Sequence, residues 1–202
     1  MARRLSQRDE RRSSLLVAAQ KVFSEKGYHA ATVDDITRAA GVAKGTFYLY
    51  FQEKREIYYE VIRGFLQLLK DIGRLAPGRD PDFLTALAGA GRELMRVFLE
   101  NRELVRLAHR ESMGLDPGLE AMVRGFYREA AEVHSQNIHV GMELGLFRPV
   151  DPLLTAYAHV GMIERVLLAF LDDEPGLPPP DHIVQQMIDV AFQGLLVRPA
   201  SK

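Results

Sequence analysis

Apolar residues recur at three- and four-residue steps along almost the whole chain, the period of an α-helix that buries one face. The first such stripe lies between Ser6 and Lys26 and is followed by Gly27, which suits the left-handed end of a helix. Its members are Leu15, Leu16, Ala19, Val22 and Phe23. Segments in which apolar and polar residues alternate, as they do in β-strands, are scarce. We therefore predict an all-α fold with about nine helices.

Short helices follow the first one. Thr32 supplies an N-cap hydroxyl, and two aspartates follow it in the first turn, where the helix dipole favours negative charge. We predict the second helix at about residues 33–40, ended by Gly41, and the third at about residues 43–51. A fourth helix opens at residues 52–54. This order is the outline of a helix-turn-helix unit.

The later helices are separated by residues that favour turns, mainly Gly, Pro and Asp. These breaks fall at residues 77–81, near 101, and at 113–118, 145, 151–152 and 175–180. Between them we expect a long helix at residues 119–144 and another that starts at Pro152 and runs to 171. A last helix is predicted to be capped by Asp181 and to end near residue 196.

The net charge of −1 is unevenly distributed along the chain. Residues 1–63 carry 12 Lys and Arg and 8 Asp and Glu, hence +4. The remaining residues carry 14 and 19, hence −5. A basic first third on an acidic body indicates that one end of the protein approaches an anion while the rest has another task.

Several classes of protein are excluded or disfavoured. The chain has no cysteine, which excludes disulfide scaffolds, zinc fingers and iron–sulfur clusters. The longest apolar run covers only residues 166–171, and the charged N-terminus has no apolar signal core, so we expect a soluble cytoplasmic protein without a membrane partner. Hydrolase and phosphate-loop motifs are missing, and the His139/Glu143 pair supplies only two ligands, too few for a metal site. We therefore predict that the protein is not an enzyme and binds no cofactor or metal ion.

The segment at residues 32–54 carries the most chemical information. On a helix, Phe47 and Phe51 face the same side and pack inward, while Gly45 and Leu49 point nearly opposite. Glycine inside a helix costs about 1 kcal/mol relative to alanine, a cost that makes sense where another surface approaches the backbone. The remaining side chains supply one cation and three hydroxyls for phosphates and base edges: Lys44, Thr46, Tyr48 and Tyr50. The alternative is that this aromatic helix is simply part of the core.

The sequence AGVAKGTFYLYF at residues 40–51, followed by Lys54, resembles the TetR family of bacterial transcriptional regulators. FSEKGY at residues 23–28 and TVDDI at residues 32–36 extend the resemblance, which covers about residues 10–60. Ala43 departs from the Ser or Thr that many members carry there, and losing that cap costs about 0.5–2 kcal/mol of local helix stability.

The resemblance implies that the third helix reads DNA. It implies contact with base edges or the groove floor for Lys44, Gly45 and Tyr48. Leu49 is expected to touch only sugar or a thymine methyl group. Phosphate contact is implied for the following four residues: Thr32, Thr46, Tyr50 and Lys54.

Five arginines stand at or before the start of the first helix: Arg3, Arg4, Arg8, Arg11 and Arg12. They form an arm that either lies along phosphates or enters the minor groove. The alternative is a solvated tail balanced by Asp9 and Glu10.

One recognition helix reads few base pairs, so a two-fold dimer on a palindromic operator is expected. We predict a DNA-binding domain at residues 1–52 and an effector-binding and dimerisation domain at residues 53–202. A homodimer through the last two helices is suggested by two stripes. They comprise Leu154, Tyr157, Gly161, Glu164, Leu168 and Leu171, and then Val184, Met187, Ile188, Ala191 and Leu195. The alternative is that both stripes face only their own core.

Polar residues also interrupt the apolar faces of the middle helices. As in the family's ligand cavities, we expect such residues to anchor a hydrophobic or amphipathic effector. The candidates are His109, Phe126, His134, Asn137, Tyr157 and Glu164, although each alone is more often a satisfied core residue. The predicted function is a ligand-responsive repressor that the effector releases from DNA. The alternative is a constitutive dimeric DNA-binding protein whose larger domain only dimerises.

Overall fold

The computed structural model describes residues 2–74, 82–112, 116–172 and 174–196, and over these residues it contains nine helices and no strand. They are α1 (Ala2–Ala30), α2 (Val33–Ala39), α3 (Lys44–Phe47), α4 (Lys54–Gly73), α5 (Phe83–Glu100), α6 (Arg102–Ser112), α7 (Pro117–Glu143), α8 (Pro152–Leu171) and α9 (Pro180–Gln193). The all-α prediction is confirmed, as is the break near Asn101. The predicted break at residues 77–81, and residues 113–115 of the next, lie outside the described residues.

The chain forms two compact units. The first comprises Met1–Gln67 and Asn101–Val123, and the second comprises Leu68–Glu100 and Arg124–Lys202. Helices α4 and α7 therefore contribute residues to both units. The predicted domains at residues 1–52 and 53–202 divide the chain by sequence rather than by compactness, and they stay a prediction.

In the first unit, α1 packs against α2 and α6. Its core contains side chains with at most 1% of their surface exposed, among them Leu15, Phe23, Ile36, Phe47, Ile57, Leu104 and Leu119. Gly27 has a non-helical φ of +75° and ψ of 163°, so the helix that starts at Ala2 is broken there as predicted, and the span to Ala30 joins two helical pieces across this kink. In the short piece after the kink, the Ala31 amide donates to the Gly27 carbonyl at 3.2 Å.

Helix α3 is shorter than predicted. It covers Lys44–Phe47 instead of residues 43–51, and a turn follows in which the Leu49 and Tyr50 amides donate three residues back, at 3.2 and 3.0 Å. The N-cap residue Ala43 forms no side-chain cap hydrogen bond, and Gly45 disfavours a helix. The segment is therefore held by its buried aromatic residues rather than by helix propensity.

One cluster of buried residues in the core of the second unit comprises Phe83, Ala131, Ile138, Phe147, Ala156 and Leu195. Helix α8 starts at Pro152 as predicted, and Asp151 caps it, because its carboxylate accepts from the Leu154 amide at 2.8 Å. The predicted cap of the last helix is wrong. Helix α9 has Pro179 at its N-cap, and Asp181 lies inside the helix because proline is well suited to its first turn.

Candidate nucleic-acid interface and ligand cavity

Thr32 and Asp35 form a reciprocal cap that starts α2. The Thr32 hydroxyl accepts from the Asp35 amide at 3.1 Å and donates to Asp35 Oδ2 at 2.7 Å, while the Thr32 amide donates to the same carboxylate at 3.1 Å. Hydrogen bonds from Lys26 and then from Thr32 lower the pKa of Asp35 to about 2. The cap makes the start of α2 rigid, and Thr32 remains exposed there.

The α3 segment divides its side chains between the core and the surface as predicted. Phe47 and Phe51 are 0% and 2% exposed, and their ring centroids lie 5.6 Å apart. Tyr48 and Leu49 are 53% and 69% exposed. The remaining candidates are either exposed, as are Lys44 and Gly45, or half-buried, as are Thr46 and Tyr50. The core alternative therefore holds for the two phenylalanines only.

Lys44 is paired with Asp34 across the α2–α3 turn. Its ammonium lies 3.0 Å from Oδ1 and donates to Oδ2 at 3.1 Å. The hydrogen bond from Lys44 to Asp34 raises the pKa of the lysine. Both side chains are more than half exposed, so the pair stabilises the fold little and chiefly orients the cation.

Lys54 points its ammonium at the end of α1. Nζ donates to the Tyr28 and Ala31 carbonyls at 2.7 and 2.8 Å and lies 4.5 Å from the centroid of the Tyr28 ring. Burial lowers the pKa of this lysine. The side chain thus satisfies carbonyls that the helix leaves free at its C-terminus. Phosphate contact by Lys54 stays a prediction.

The basic arm is helical rather than a separate tail, because α1 begins at Ala2. The side chains of Arg3 and Arg4 lie outside the described residues. The Arg8 guanidinium lies 5.9 Å from the Tyr50 ring centroid, and that of Arg12 lies 5.3 Å from the Phe51 ring centroid. Arg12 also donates to Glu60 Oε2 at 3.0 Å. These contacts connect α1 with the α3 segment.

The second unit contains a cavity of about 190 Å³. Residues of α4, α5, α7, α8 and α9 line it, and most of them are apolar, such as Leu87, Leu94, Phe126, Ile163, Met187 and Ile188. An apolar cavity with a few polar groups is the usual form of a small-molecule site.

Three polar side chains of the cavity lie on α7 and α8. His134 Nε2 and His159 Nδ1 share a hydrogen bond of 2.9 Å, and the Asn137 amide nitrogen donates to the Gly73 carbonyl at 2.9 Å. Burial, and to a lesser extent the neighbouring His159, lowers the pKa of His134 to about 4, and burial also lowers the pKa of His159. Both rings are therefore neutral at pH 7.

A lysine also lines the cavity, but its charge is already neutralised. The Lys70 ammonium donates to Glu129 Oε2 at 2.5 Å, and this bond lowers the pKa of the glutamate. Among the described residues, no other lining side chain except the two histidines can titrate.

The structure brings three of the six predicted ligand residues to the cavity: Phe126, His134 and Asn137. Tyr157 is 47% exposed and does not line it. Glu164 bonds instead to Tyr127, whose pKa is raised by burial and by this carboxylate, and His109 lies on α6 in the first unit. A ligand role for these three stays a prediction.

Sequence reasoning missed His159. It lies two residues after Tyr157, and residues two apart on a helix point to different sides. Because Tyr157 is exposed, this offset places His159 on the side that faces the cavity.

The two stripes predicted to form the dimer interface differ in where their side chains lie. On α8, Leu154 is 70% exposed and Gly161 is also exposed, although Leu171 is buried. In the second stripe, four of the five residues line the cavity of their own unit: Met187, Ile188 and Ala191 on α9, and Leu195 just after it. The α9 stripe is therefore corrected to an inward-facing one, and the side chain of Val184 lies outside the described residues.

Two further features bear on the class of protein. Among the described residues, no group of three or more His, Asp or Glu side chains could hold a metal ion. Helix α8 has the length and, with a mean hydropathy of 1.4, the composition of a membrane span. Core helices of water-soluble proteins meet the same criteria, and α8 carries Glu164 and Arg165, which a membrane interior disfavours.

Family models match both parts of the chain. Residues 15–61 match bacterial regulatory proteins of the tetR family, and residues 80–195 match the tetracyclin repressor-like C-terminal domain. The HTH-type transcriptional regulator YdgC of Bacillus subtilis is 29% identical over 192 residues, which are 93% of each chain. The HTH-type transcriptional repressor KstR2 of Mycobacterium tuberculosis is 29% identical over 157 residues, which are 74% of this chain and 75% of the repressor.

Solved structures show the same fold. A regulator from Saccharomonospora viridis in complex with choline has a TM-score of 0.75 at 21% identity and covers 94% of this chain and 100% of its own. SmeT, the repressor of a multidrug efflux pump of Stenotrophomonas maltophilia, has a TM-score of 0.69 at 20% identity and covers 94% of both chains. From these matches and the helix-turn-helix geometry, the chain belongs to the tetR family of bacterial transcriptional regulators.

Proposed function

We propose that this protein is a cytoplasmic, homodimeric transcriptional repressor that a hydrophobic or amphipathic small molecule releases from a palindromic operator. The observation that carries the proposal is the apolar cavity of about 190 Å³ in the second unit. A domain that served only for dimerisation would fill this space with side chains, since unfilled space in a core is destabilising. The cavity therefore favours a ligand sensor over a constitutive DNA-binding protein.

The surface proposed to meet DNA consists of the exposed residues around Gly45. Lys44 and Tyr48 reach base edges, and Gly45 allows the backbone to approach the groove floor. Leu49, which is 69% exposed, packs on sugar or a thymine methyl group. Phosphate contacts come from the hydroxyl side chains and from one lysine: Thr32, Thr46, Tyr50 and Lys54.

The dimer is proposed to form through α8 and α9. Leu154 and Tyr157 place apolar surface on the outside of α8, and Val190, which is 61% exposed, does so on α9. Exposed apolar residues on consecutive helices support a protein–protein contact. Two heads related by a two-fold axis would read two half-sites of one operator.

Ligand binding is proposed to lower DNA affinity through α4. This helix begins at Lys54, which holds the end of α1, and ends at Gly73, whose carbonyl accepts from Asn137 in the cavity wall. A ligand that changes the Asn137 contact therefore acts on a helix that also anchors the DNA-binding unit. Coupling of this kind is typically about 1–3 kcal/mol. KstR2, which matches 74% of this chain, is described as a repressor, whereas FasR of Mycolicibacterium smegmatis, described as an activator, matches only 50%, and the broader match supports repression.

The test is a binding experiment with labelled DNA from the region upstream of the protein's own gene. Fluorescence anisotropy measures the affinity, and small molecules are screened first for raising the melting temperature of the protein and then for releasing the DNA. We expect ligands that stabilise the protein also to weaken DNA binding. Ligands that fill the cavity and leave DNA affinity unchanged would show that the protein is a constitutive binder.

A further inference from the structure

The polar end of the cavity offers hydrogen bonds but no net charge. Two neutral imidazoles that share one hydrogen bond leave two other ring nitrogens, and these form no hydrogen bond with a described residue. Whichever ring donates to its neighbour keeps a bare nitrogen, and the other ring keeps an N–H. The His134–His159 pair therefore presents one donor and one acceptor, and the two exchange when the tautomers exchange.

Asn137 adds a further acceptor beside this pair. Its amide nitrogen donates to the Gly73 carbonyl, which fixes the orientation of the amide. Its Oδ1 atom accepts no hydrogen bond from a described residue, although only 7% of the residue is exposed. This oxygen is not fully enclosed by protein atoms, so a ligand that donates a hydrogen bond to it can take the place of water there. Asn137 lies three residues after His134, so both face the cavity from the same side of α7.

The charges around the cavity disfavour an ionic ligand. Lys70 on α4 is the only lining residue with a permanent charge among those described, and Glu129 on α7 neutralises it. The lining residues of α5 and α9 that the structure describes are all non-titratable, and α8 contributes only His159. An ion placed among these residues would lose its hydration without gaining a free counter-charge.

The volume indicates the size of the ligand. A cavity of about 150 Å³ holds benzene, so the 190 Å³ here accommodates about eight non-hydrogen atoms, and its partly open mouth leaves room for about one or two more. We propose that the cavity binds an uncharged molecule of this size whose hydroxyl group is held by the His134–His159 pair and Asn137. A hydroxyl both donates and accepts, which matches Oδ1 of Asn137 together with an imidazole N–H. The proposal rests on the sensor function above and specifies its ligand.

The test measures binding to the full-length protein without DNA, by calorimetry at pH 7.5. Two matched series serve as probes, so that the shape of the ligand does not decide the outcome. The linear series is 1-octanol, octanoate and octylammonium, and the aromatic series is 4-ethylphenol, ethylbenzene and 4-methylbenzoate. We expect the alcohol or the phenol to bind about tenfold more tightly than every other member of its series. Equal or tighter binding of a charged member would overturn the proposal, as would equal binding of ethylbenzene.

Variants identify the groups that hold the hydroxyl. His159→Phe keeps an aromatic ring without its nitrogens, and Asn137→Leu removes the acceptor. Each is expected to weaken binding of the hydroxyl ligand about tenfold and to leave ethylbenzene nearly unaffected, whereas His139→Gln, an exposed change on α7, leaves both unchanged. If either variant fails to fold, His159→Leu and Asn137→Ala take its place, since they also remove the ring nitrogens and the amide oxygen. An unchanged preference for the hydroxyl ligand in a folded variant would contradict the assignment.

The outcome is separable from that of the proposed function. Tight binding of the hydroxyl ligand without release of DNA would support the cavity chemistry and refute the sensor role. Release of DNA by a charged molecule that binds in the cavity would support the sensor role and refute the proposed cavity chemistry.

Discussion

The Lys44 ammonium lies 3.0 Å from Asp34 Oδ1, so a cation proposed to contact DNA is held by a carboxylate on the same surface. The carboxylate orients the lysine, but it also places a negative charge where phosphates would approach. Base contacts with the operator would offset this repulsion, and nonspecific DNA does not offer those contacts. Asp34 is therefore expected to contribute to specificity rather than to affinity.

Asp34→Asn removes the negative charge and leaves the size of the side chain unchanged. We expect nonspecific DNA to bind roughly threefold or more tightly at low salt, with a smaller gain for the operator. Anisotropy titrations with operator and scrambled DNA measure the ratio, and Glu25→Gln on α1 is the control for an exposed acid. An unchanged ratio would contradict the role of Asp34.

Lys44→Ala and Tyr48→Phe are expected to weaken operator binding without unfolding the protein. Each removes a group proposed to reach a base edge, a contact typically worth about 1–3 kcal/mol of discrimination. The measurement is operator affinity together with thermal unfolding, and Lys21→Ala on α1 is the control for loss of an exposed lysine. If both variants bind the operator as the parent does, α3 is not the recognition helix.

Lys54→Met is expected to lower the free energy of unfolding by about 1–3 kcal/mol, because the Tyr28 and Ala31 carbonyls lose a charged donor. Urea unfolding measures the loss, and Lys21→Met is the matched control. A variant as stable as the parent but deficient in DNA binding would show that Lys54 serves DNA alone.

Acidification is expected to destabilise the protein through His134. The pKa of this residue is about 4 in the folded protein and 6.5 in a free side chain, so between these values the unfolded chain binds more protons. The free energy of unfolding therefore falls as the pH decreases from about 6.5 to 4, by roughly 3 kcal/mol from this group. Below pH 4 its contribution changes no further.

His134→Gln should reduce this dependence, while His159, whose pKa burial also lowers, keeps a part of it, and urea unfolding at several pH values measures the difference from the parent. His139→Gln on the exposed face of α7 should leave the parent's curve unchanged. Parallel curves for the parent and His134→Gln would mean that His134 is not kept neutral by the fold.

Gly141→Ala is expected to destabilise the second unit by about 1–3 kcal/mol, because its new Cβ would lie against the Phe147 ring, too close for a real contact. Gly125→Ala is the control on the same helix, where no atom lies within 4 Å of the added Cβ. There alanine should stabilise the helix slightly. Thermal unfolding should show a lower melting temperature for Gly141→Ala and a slightly higher one for Gly125→Ala.

Local patterns predicted the helices and the burial of Phe47 and Phe51, because spacing within one helix determines which residues share a face. Patterns could not predict what each face packs against. An apolar stripe on α9 is compatible with a dimer interface and with a cavity wall. Only the packing of five helices shows that it lines the cavity. His159 was missed for the same reason, since its partner His134 is 25 residues away.

The length of α3 and the task of Lys54 also depended on tertiary contacts. The absence of a side-chain cap at Ala43 was visible in the sequence and is consistent with the short helix. The bonds from Lys54 to the carbonyls of α1 join residues 23 and more positions apart, and no local pattern reports them.

Phe147 belongs both to the core of the second unit and to the wall of its cavity. Its ring occupies space that is open only because residue 141 has no side chain. The shape of the proposed ligand cavity is thus set partly by a position that is not among its lining residues. Relatives that carry a larger residue there must move the aromatic ring, and their chemical selectivity can diverge while every contacting residue stays the same.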